Sequence, residues 1–338
     1  MKNGLLKKWL TVLFSLLFSF CFLCGCHRSN ATVTVYIPDG APSLAFAGLM
    51  CEDTKDDGVE YKVVAPNVIK SKVTGKNQGN NADICVLPVH TASALLGAGD
   101  RYQLLGVVTH GNLYMLSKTQ ETYTNETLVN LIGKVVGVLQ IADVPGLTLK
   151  SILRANDVPY QEISAVEKAN ANVVNLLAIT GAGDVGALPG VDAYVLAEPA
   201  VTMKVNAGAG LYLVGNLQTL YKAQGGYPQA VVVAKKSLIQ KNPKFIQSFM
   251  QSLQNAKEWL KDATAQEIAS IITAHLEDEN YSSTIKAAAL NEQTITRCAV
   301  YFTDAKQSKA EIEGYLTALS MVDGGKTRLP SSAFYFNG

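Results

Sequence analysis

Polar side chains stand at the points where apolar, strand-like segments of this sequence give way to helix-like segments. Asp39 and Ser43 belong to a Pro-Asp-Gly-Ala-Pro-Ser turn at 38–43, and Glu198 directly precedes Pro199. Proline at such a point favours the first turn of a helix. A helix N-terminus offers unpaired N–H groups and a partial positive charge, which can bind a ligand. These residues therefore predict a binding site rather than a catalytic centre.

Each candidate residue also has a purely structural interpretation. Asp39 could hold a cationic or amine group, or it could form an Asx-turn with Gly40. Ser43 could donate to a ligand or cap its own helix, and Glu198 could bind a ligand or only favour the helix dipole. The prolines would give van der Waals contacts at most. The full set of candidate ligand-binding residues is Asp39, Pro42, Ser43, His90, Thr109, His110, Asn112, Pro145, Glu198 and Tyr227.

Motifs for catalysis, cofactors and metals are missing or stand in the wrong context. Residues 181–186 match G-x-G-x-x-G, but a helix is predicted before them at 173–180, whereas a dinucleotide site needs a preceding strand. Neither a P-loop nor a G-x-S-x-G motif occurs, and the four histidines are scattered without metal-ligand spacing. The sequence thus predicts no cofactor, no metal site and no enzymatic activity.

Composition indicates a folded protein of about two domains. The chain has 338 residues, of which 48% are hydrophobic and 17% charged. Its 29 basic and 28 acidic residues leave a net charge of +1, so no nucleic-acid partner is predicted.

The N-terminal residues are typical of a secretion signal. Lys2, Lys7 and Lys8 precede an apolar stretch at 9–23, shorter than the roughly 20 residues of a membrane-spanning helix. The following Leu-Cys-Gly-Cys at 23–26 resembles the bacterial lipobox. It predicts a signal peptide at 1–25, lipid on Cys26, a tether at 26–31 and a protein anchored by palmitate on the extracytoplasmic side of the cell membrane. The alternatives are an ordinary signal peptide or a short anchor that stays.

Three cysteines remain after such cleavage: Cys51, Cys85 and Cys298. At most one disulfide can form among them, and the sequence does not choose it. Cys85 lies in the apolar segment 84–87, which predicts a core position.

Hydrophobic periodicity predicts strands alternating with helices, which favours parallel α/β sheets. Strands are predicted near 32–37, 61–64, 83–87, 102–109, 113–116, 134–139, 161–165, 192–196, 211–214 and 229–234. After residue 235 the pattern becomes helical, with an N-terminal signal at Asn242-Pro243 and one apolar face through 245–260. Further helices are predicted at 266–275, 283–290 and 306–321.

Six stretches in order resemble one family: residues 37–45, 82–88, 106–114, 137–148, 196–202 and 227–231. Together with the lipobox they are similar to the substrate-binding lipoproteins of ABC importers in the nitrate/sulfonate/bicarbonate group, which includes taurine and thiamine-precursor binders. The similarity spans residues 32 to 335. It implies a type II periplasmic-binding fold, in which two α/β lobes are joined by a hinge of two crossing strands around a ligand cleft.

Mapped onto this chain, the resemblance places lobe one at 32–111 and 230–338, and lobe two at 115–226. The crossings then fall near 110–114 and 227–231. His110 and Asn112 would contact ligand or only hydrogen-bond in the hinge, and Tyr227 would stack on a flat ligand or pack there. The implied function is capture of a small molecule and its delivery to an ABC permease and its ATPase, by a monomer.

Charge favours an organic ligand, such as a sulfonate or a pyrimidine-type vitamin precursor, over an inorganic anion. Asp39 and Glu198 would repel an anion, and no arginine, the usual bidentate partner of anions, lies at the helix-starting turns. The Cys-rich motif of thiamine-precursor binders is absent. Two other functions stay open: a lipoprotein that senses the same ligand, and an enzyme on the same two-lobe fold using Asp39, His90 or His110 as acid or base.

Overall fold

Two six-stranded sheets organise the part of the chain that a computed structural model describes, namely residues 33–51, 58–75, 81–208, 210–221 and 227–338. The predicted signal peptide and the lipid on Cys26 lie outside the described residues. We call the first sheet with its helices lobe one and the second sheet with its helices lobe two. The α/β fold class predicted from the sequence is confirmed.

The sheet of lobe one is mostly built from the two ends of the chain. Its spatial order is β2 (Val59–Val64), β1 (Val33–Pro38), β3 (Ile84–Pro88), β11 (Ala230–Lys235), β4 (Tyr102–Thr109) and β12 (Val300–Asp304). Strand β1 is parallel to β2 and β3, whereas β11 runs antiparallel to both β3 and β4.

The sheet of lobe two comes from the middle of the chain. Its spatial order is β7 (Tyr160–Ile163), β8 (Val174–Ile179), β6 (Val135–Leu139), β9 (Ala193–Ala197), β5 (Leu113–Ser117) and β10 (Tyr212–Asn216). The four strands β7, β8, β6 and β9 are parallel, and β5 is antiparallel to both β9 and β10. The boundaries proposed for the lobes stay a prediction.

Helices follow most strands, as the alternating pattern predicts. In chain order they are α1 (Ala41–Met50), α2 (Ser71–Thr74), α3 (Val89–Leu96), α4 (Val144–Ala155), α5 (Ala200–Asn206), α6 (Leu217–Leu220), α7 (Lys236–Lys241), α8 (Pro243–Asp262), α9 (Ala265–Ala274), α10 (Glu292–Arg297) and α11 (Ala305–Ser320). Helix α8 buries Ile246, Phe249 and Leu253 on the predicted apolar face. None of the helices within the described residues is long and apolar enough to cross a membrane.

Two helix predictions are wrong. Residues 173–180 form strand β8, which lies between β6 and β7, so its run of buried residues at 174–177 faces apolar neighbours on both sides of the sheet. Residues 283–290 contain only a 3₁₀ turn at Ala287–Ala289, because the segment is held by hydrogen bonds to another part of the chain. Strand β12 was not predicted.

The apolar core continues from one sheet to the other. One cluster of buried side chains includes residues of β3 and β4 together with residues of β5, β6 and α4. At its centre the ring of Tyr227 stacks on Tyr315, with centroids 5.0 Å apart, and the Tyr221 ring meets both edge-on. Cys85 is fully buried, as the apolar segment around it predicts.

Two segments connect the sheets and hydrogen-bond to each other. The first links β4 to β5 through residues 110–112, and the second enters β11 through residues 227–229. The Tyr227 N–H donates to the His110 carbonyl oxygen over 3.3 Å, and the Gln229 N–H donates to the Thr109 carbonyl oxygen over 2.9 Å. The Asn112 N–H donates to Gln229 Oε1 over 3.0 Å. These contacts fix the two connections side by side.

Candidate functional site

A cleft of about 220 Å³ lies between the two sheets. Pro38, Pro88, Leu139 and Ala197, the last residues of four strands, line it together with the first residues of α1, α4 and α5. Ligands of open α/β sheets bind beyond the carboxyl ends of the strands, where helix N-termini converge. The volume is below the roughly 300–1,000 Å³ of drug-sized ligand sites, which fits a small solute.

Five of the ten predicted residues line this cleft: Asp39, Pro42, Asn112, Pro145 and Glu198. The other five, Ser43, His90, Thr109, His110 and Tyr227, are not among its lining residues. The cleft therefore brings together residues from both lobes and from the first connection between the sheets.

Asp39 lines the cleft, but its carboxylate is occupied by lobe one. Its Oδ1 accepts a 2.6 Å hydrogen bond from Ser283 Oγ. Its Oδ2 accepts from Tyr281 Oη at 3.1 Å, from the Thr284 N–H at 2.6 Å and from Thr284 Oγ1 at 2.8 Å. This carboxylate therefore anchors residues 281–284 to the turn before α1.

Glu198 carries the second buried carboxylate, and it is paired across the lobes. Its side chain has no exposed surface, and its Oε1 lies 2.9 Å from Nε of Arg297 in α10. Thr202 donates to the same carboxylate from its N–H at 3.0 Å and from Oγ1 at 2.9 Å. Burial raises the pKa of Glu198, while Thr202 and Arg297 act in the opposite direction.

The contact between Glu198 and Arg297 belongs to a larger bridge. Arg297 also donates from an Nη to Thr202 Oγ1 over 3.0 Å, and Thr294 Oγ1 donates to the same oxygen over 3.2 Å. We call residues 281–297 the bridging segment, because it joins Asp39 of lobe one to Glu198 and Thr202 of lobe two. It follows α9 and Leu276, which bridges to Val63 of β2, and it precedes β12, a strand of the first sheet.

Asn112 lines the cleft and carries a buried hydrogen-bond acceptor. The residue is 2% exposed, and its Nδ2 donates to the Glu198 carbonyl oxygen over 3.1 Å, which fixes the orientation of the amide. Its Oδ1 is buried and has no hydrogen-bond partner among the described residues. A buried acceptor without a partner carries a desolvation cost of about 1–3 kcal/mol, which a ligand donor would remove.

Acidic side chains give the cleft its charge. Asp39, Asp143 and Glu198 line it, and no lysine, arginine or histidine does so among the described residues. The Asp143 Oδ1 accepts from the Val144 N–H at 2.7 Å and thereby caps α4. Arg297 offsets the charge of Glu198, so Asp39 and Asp143 leave the electrostatic environment unfavourable for an anion, apart from the N–H groups of the helix N-termini.

His90 lies at the edge of this environment. Its Nε2 is 3.5 Å from Asp143 Oδ1 and 3.3 Å from Thr91 Oγ1. Burial lowers the pKa of His90, although Asp143 and then Asp323 act to raise it. The residue lines a surface cavity beside Lys150 and Asp323 rather than the interlobe cleft.

The remaining predicted residues are buried. Ser43 Oγ donates to the Gly40 carbonyl oxygen at 2.8 Å. The ring of His110 stacks on Tyr301 with centroids 3.8 Å apart, and burial lowers the pKa of His110 to about 4. Thr109 ends β4, and its Oγ1 is buried without a hydrogen-bond partner among the described residues. Tyr227 donates from Oη to Gln218 Oε1 at 2.9 Å.

Sequence reasoning missed several residues of the cleft and its surroundings. Gln140 and Gln229 line the cleft, and Arg297 and Thr284 hold its carboxylates. A positive φ of 61° at Gln140 marks the turn between β6 and α4, where a non-glycine residue is uncommon. Within the described residues no group of three or more His, Cys, Asp or Glu side chains is arranged to hold a metal ion.

Comparison with known proteins agrees with this architecture. A family model described as the NMT1-like family matches residues 133–273. No match was found among curated proteins. The family-model match covers most of lobe two and continues into the helices that follow β11.

Solved structures of ABC-transporter proteins share the fold. A Parabacteroides distasonis ABC transporter structure is 21% identical, with a TM-score of 0.65 over 91% of this chain and 99% of that chain. The alkanesulfonate-binding protein SsuA from Xanthomonas axonopodis pv. citri, bound to MOPS, is 15% identical, with a TM-score of 0.59 over 90% and 97%. The periplasmic aliphatic sulphonate binding protein SsuA from Escherichia coli is 12% identical, with a TM-score of 0.58 over 91% and 94%. The resemblance to ABC-importer binding proteins that the sequence predicts is confirmed.

Proposed function

We propose that this chain is an extracytoplasmic solute-binding lipoprotein of an ABC importer. It captures a small organic molecule in the interlobe cleft and delivers it to a permease and its ATPase. The observation that carries the proposal is the cleft itself, which is small, lined from both lobes and equipped with a buried acceptor without a partner, Asn112 Oδ1. Nothing in this role requires the protein to catalyse a reaction.

The ligand is a hydrogen-bond donor that carries no net negative charge. Three carboxylates and no cationic side chain line the cleft within the described residues, and only the charge of Glu198 is offset, by Arg297, so a free sulfonate or nitrate would meet unfavourable potential. The Asn112 acceptor requires an N–H or O–H group on the ligand. This ligand class includes amines, amides and neutral heterocycles with ring N–H groups.

Thermal melting of the full chain against a compound panel tests the proposal. The panel holds amines, amides, pyrimidines, alkanesulfonates, nitrate and bicarbonate. A ligand at 100 times its Kd stabilises the native state by about 2.7 kcal/mol, which is a measurable rise in Tm. We expect a rise with one donor class and none with sulfonates. A rise with sulfonates alone would contradict the ligand class but keep the binding role.

A matched pair of variants places the bound molecule. Asn112→Leu removes the acceptor at similar volume and should weaken the ligand about tenfold or more, as expected for an unmade buried hydrogen bond. Asn255→Leu makes the same change on the exposed face of α8 and should leave the affinity unchanged. Equal affinity in both variants would exclude Asn112 from the site.

The lipid anchor is tested separately from ligand binding. We expect mass spectrometry of the membrane-extracted protein to find diacylglyceryl and acyl groups on an N-terminal Cys26. Cys26→Ser should release the protein from the membrane fraction without altering the ligand-induced rise in Tm. A mature chain that begins elsewhere would contradict the anchor and leave the solute-binding role intact.

A further inference from the structure

A second cavity, of about 650 Å³, lies within lobe one and away from the cleft. It opens between the C-terminal half of α8 and the stretch from Leu290 to Tyr301, which includes α10. Leu260, Leu290 and Ile295 give it apolar walls. Its volume falls within the roughly 300–1,000 Å³ range of small-molecule sites, and it is larger than the interlobe cleft.

The charged side chains that line this cavity are two lysines and one glutamate. Lys257 and Lys261 both line it, one turn apart on the same face of α8. The Lys257 Nζ lies 5.6 Å from the centroid of the Tyr301 ring, so the aromatic ring and a positive charge meet at one wall. Lys261 pairs with Glu258, but the two side chains are 59% and 68% exposed, and such pairs contribute little. Among the residues that the structure describes, Glu292 is the single acidic residue that lines the cavity.

Helix α10 separates this cavity from the interlobe cleft. Its Ile295 and Thr296 line the cavity, whereas Thr294 and Arg297 point to Thr202 and Glu198 of lobe two. The cavity shares no lining residue with the cleft. A molecule bound in one therefore occupies different space from a molecule bound in the other.

We propose that this cavity is a second ligand site, which takes an organic anion with an apolar body, such as a medium-chain carboxylate. The apolar walls bury the hydrocarbon, which contributes about 0.8 kcal/mol per buried CH₂ group. Lys257 and Lys261 receive the anionic head at the rim. The cleft has carboxylates and, within the described part of the chain, no cationic lining residue, so it would reject the same molecule and the two sites would differ in ligand class.

Decanoate, kept below its micelle-forming concentration, is the probe for the full chain. Titration calorimetry should show saturable binding of decanoate, and no binding of decyltrimethylammonium. Hydrogen–deuterium exchange should show protection by decanoate at residues 256–265 and 290–301. Residues 9–23 are themselves apolar and can bind decanoate equally in every variant. The decisive readout is therefore the difference in decanoate affinity between variants.

Four variants decide the outcome. The double variant Lys257→Gln and Lys261→Gln should weaken decanoate at least tenfold, and Ala265→Phe, which fills the cavity, should abolish its binding. Lys244→Gln, on the same helix but outside the cavity, should bind decanoate normally. Asn112→Leu, in the cleft, should also bind it normally.

The proposal is overturned by several results. These are equal binding of the cationic amphiphile, unchanged affinity in the double lysine variant, or loss of binding in Asn112→Leu, which would put decanoate in the cleft. Circular dichroism of each variant separates loss of the site from loss of the fold. If Ala265→Phe fails to fold, the double lysine variant and the exchange map still decide the question.

Discussion

Replacing Arg297 by methionine is expected to shift the two lobes towards an open arrangement. The guanidinium Nε lies 2.9 Å from Glu198 Oε1, and the Glu198 side chain has no exposed surface. Methionine keeps much of the apolar contact of arginine but supplies no charge and no donor. The closed arrangement would then hold a buried carboxylate without its cation.

The magnitude follows from the burial of that carboxylate. Breaking a buried ion pair by removing one partner costs about 3–5 kcal/mol. Because Glu198 and Arg297 belong to different lobes, opening the cleft returns the carboxylate to water and avoids this cost. Opening breaks the Thr294–Thr202 contact of 3.2 Å in the parent and in the variant alike, so this contact cancels from the difference between them. The shift relative to the parent is therefore about 3–5 kcal/mol towards the open state, or roughly a factor of 150 to 5,000 in the equilibrium constant.

Small-angle X-ray scattering of the ligand-free full chain measures the consequence. We expect a larger radius of gyration for Arg297→Met than for the parent, and a value close to the parent for Arg297→Lys, which keeps the charge. The double variant Glu198→Gln and Arg297→Met should recover most of the compact state, because it removes the buried charge. Ligand affinity should weaken in proportion to the population of the closed state.

The opening caused by Arg297→Met should also depend on pH. Burial already raises the pKa of Glu198, and loss of the Arg297 charge raises it further. Below that pKa the carboxyl is neutral, so the penalty of Arg297→Met vanishes as the pH falls and is greatest at neutral pH and above. A parent-like radius of gyration for Arg297→Met at pH 8 would refute the reasoning, as would an expansion that persists in the double variant.

Three further predictions concern the rest of the site. Burial lowers the pKa of His110 to about 4 from about 6.5, so about 3 kcal/mol of native stability that is present above pH 6.5 is lost as the pH falls towards 4. His110→Phe should therefore flatten the pH dependence of the urea-unfolding free energy in this range, and an unchanged slope would contradict the prediction. Asp39→Asn should lower the unfolding free energy by about 2–4 kcal/mol and speed hydrogen exchange at 281–285, because an amide cannot accept all four hydrogen bonds. The control Asp278→Asn, at an exposed position, should change the unfolding free energy by less than about 1 kcal/mol. Gly146→Ala would place Cβ 1.9 Å from the Ile141 carbonyl oxygen and should sharply lower Tm, while Gly183→Ala meets nothing within 4 Å; similar Tm values in the two variants would show that the turn before α4 yields.

The sequence predicted the architecture because the signals for it are local. Alternation of apolar residues located most strands, and proline after a strand located the starts of α1 and α4. The same logic failed for β8, since a strand buried on both faces has a continuous apolar run, which a short helix can also have. A central strand is recognised only when its neighbours β6 and β7 are known.

The candidate site was predicted less completely because its chemistry is non-local. Asp39 and Glu198 were found from their positions at helix starts, and both line the cleft. Their partners were not found: Ser283 is 244 residues from Asp39, and Arg297 is 95 residues from Thr202, which it also contacts. No spacing rule in a single sequence links residues so far apart.

The bridging segment already pairs the carboxylates of Asp39 and Glu198, which limits their part in ligand recognition. One stretch, residues 281–297, satisfies Asp39 at one end and Glu198 at the other, so neither carboxylate is left to hold a ligand charge as its main partner. Under the proposed function, recognition would then fall to uncharged groups of the cleft lining, namely Asn112, Gln229 and the N–H groups at the helix N-termini. Because an unpaired acceptor selects for a donor, the cleft should discriminate by hydrogen bonding rather than by charge. The buried acids serve to hold the lobes and the bridging segment together, which makes closure a property of the chain as well as of its ligand.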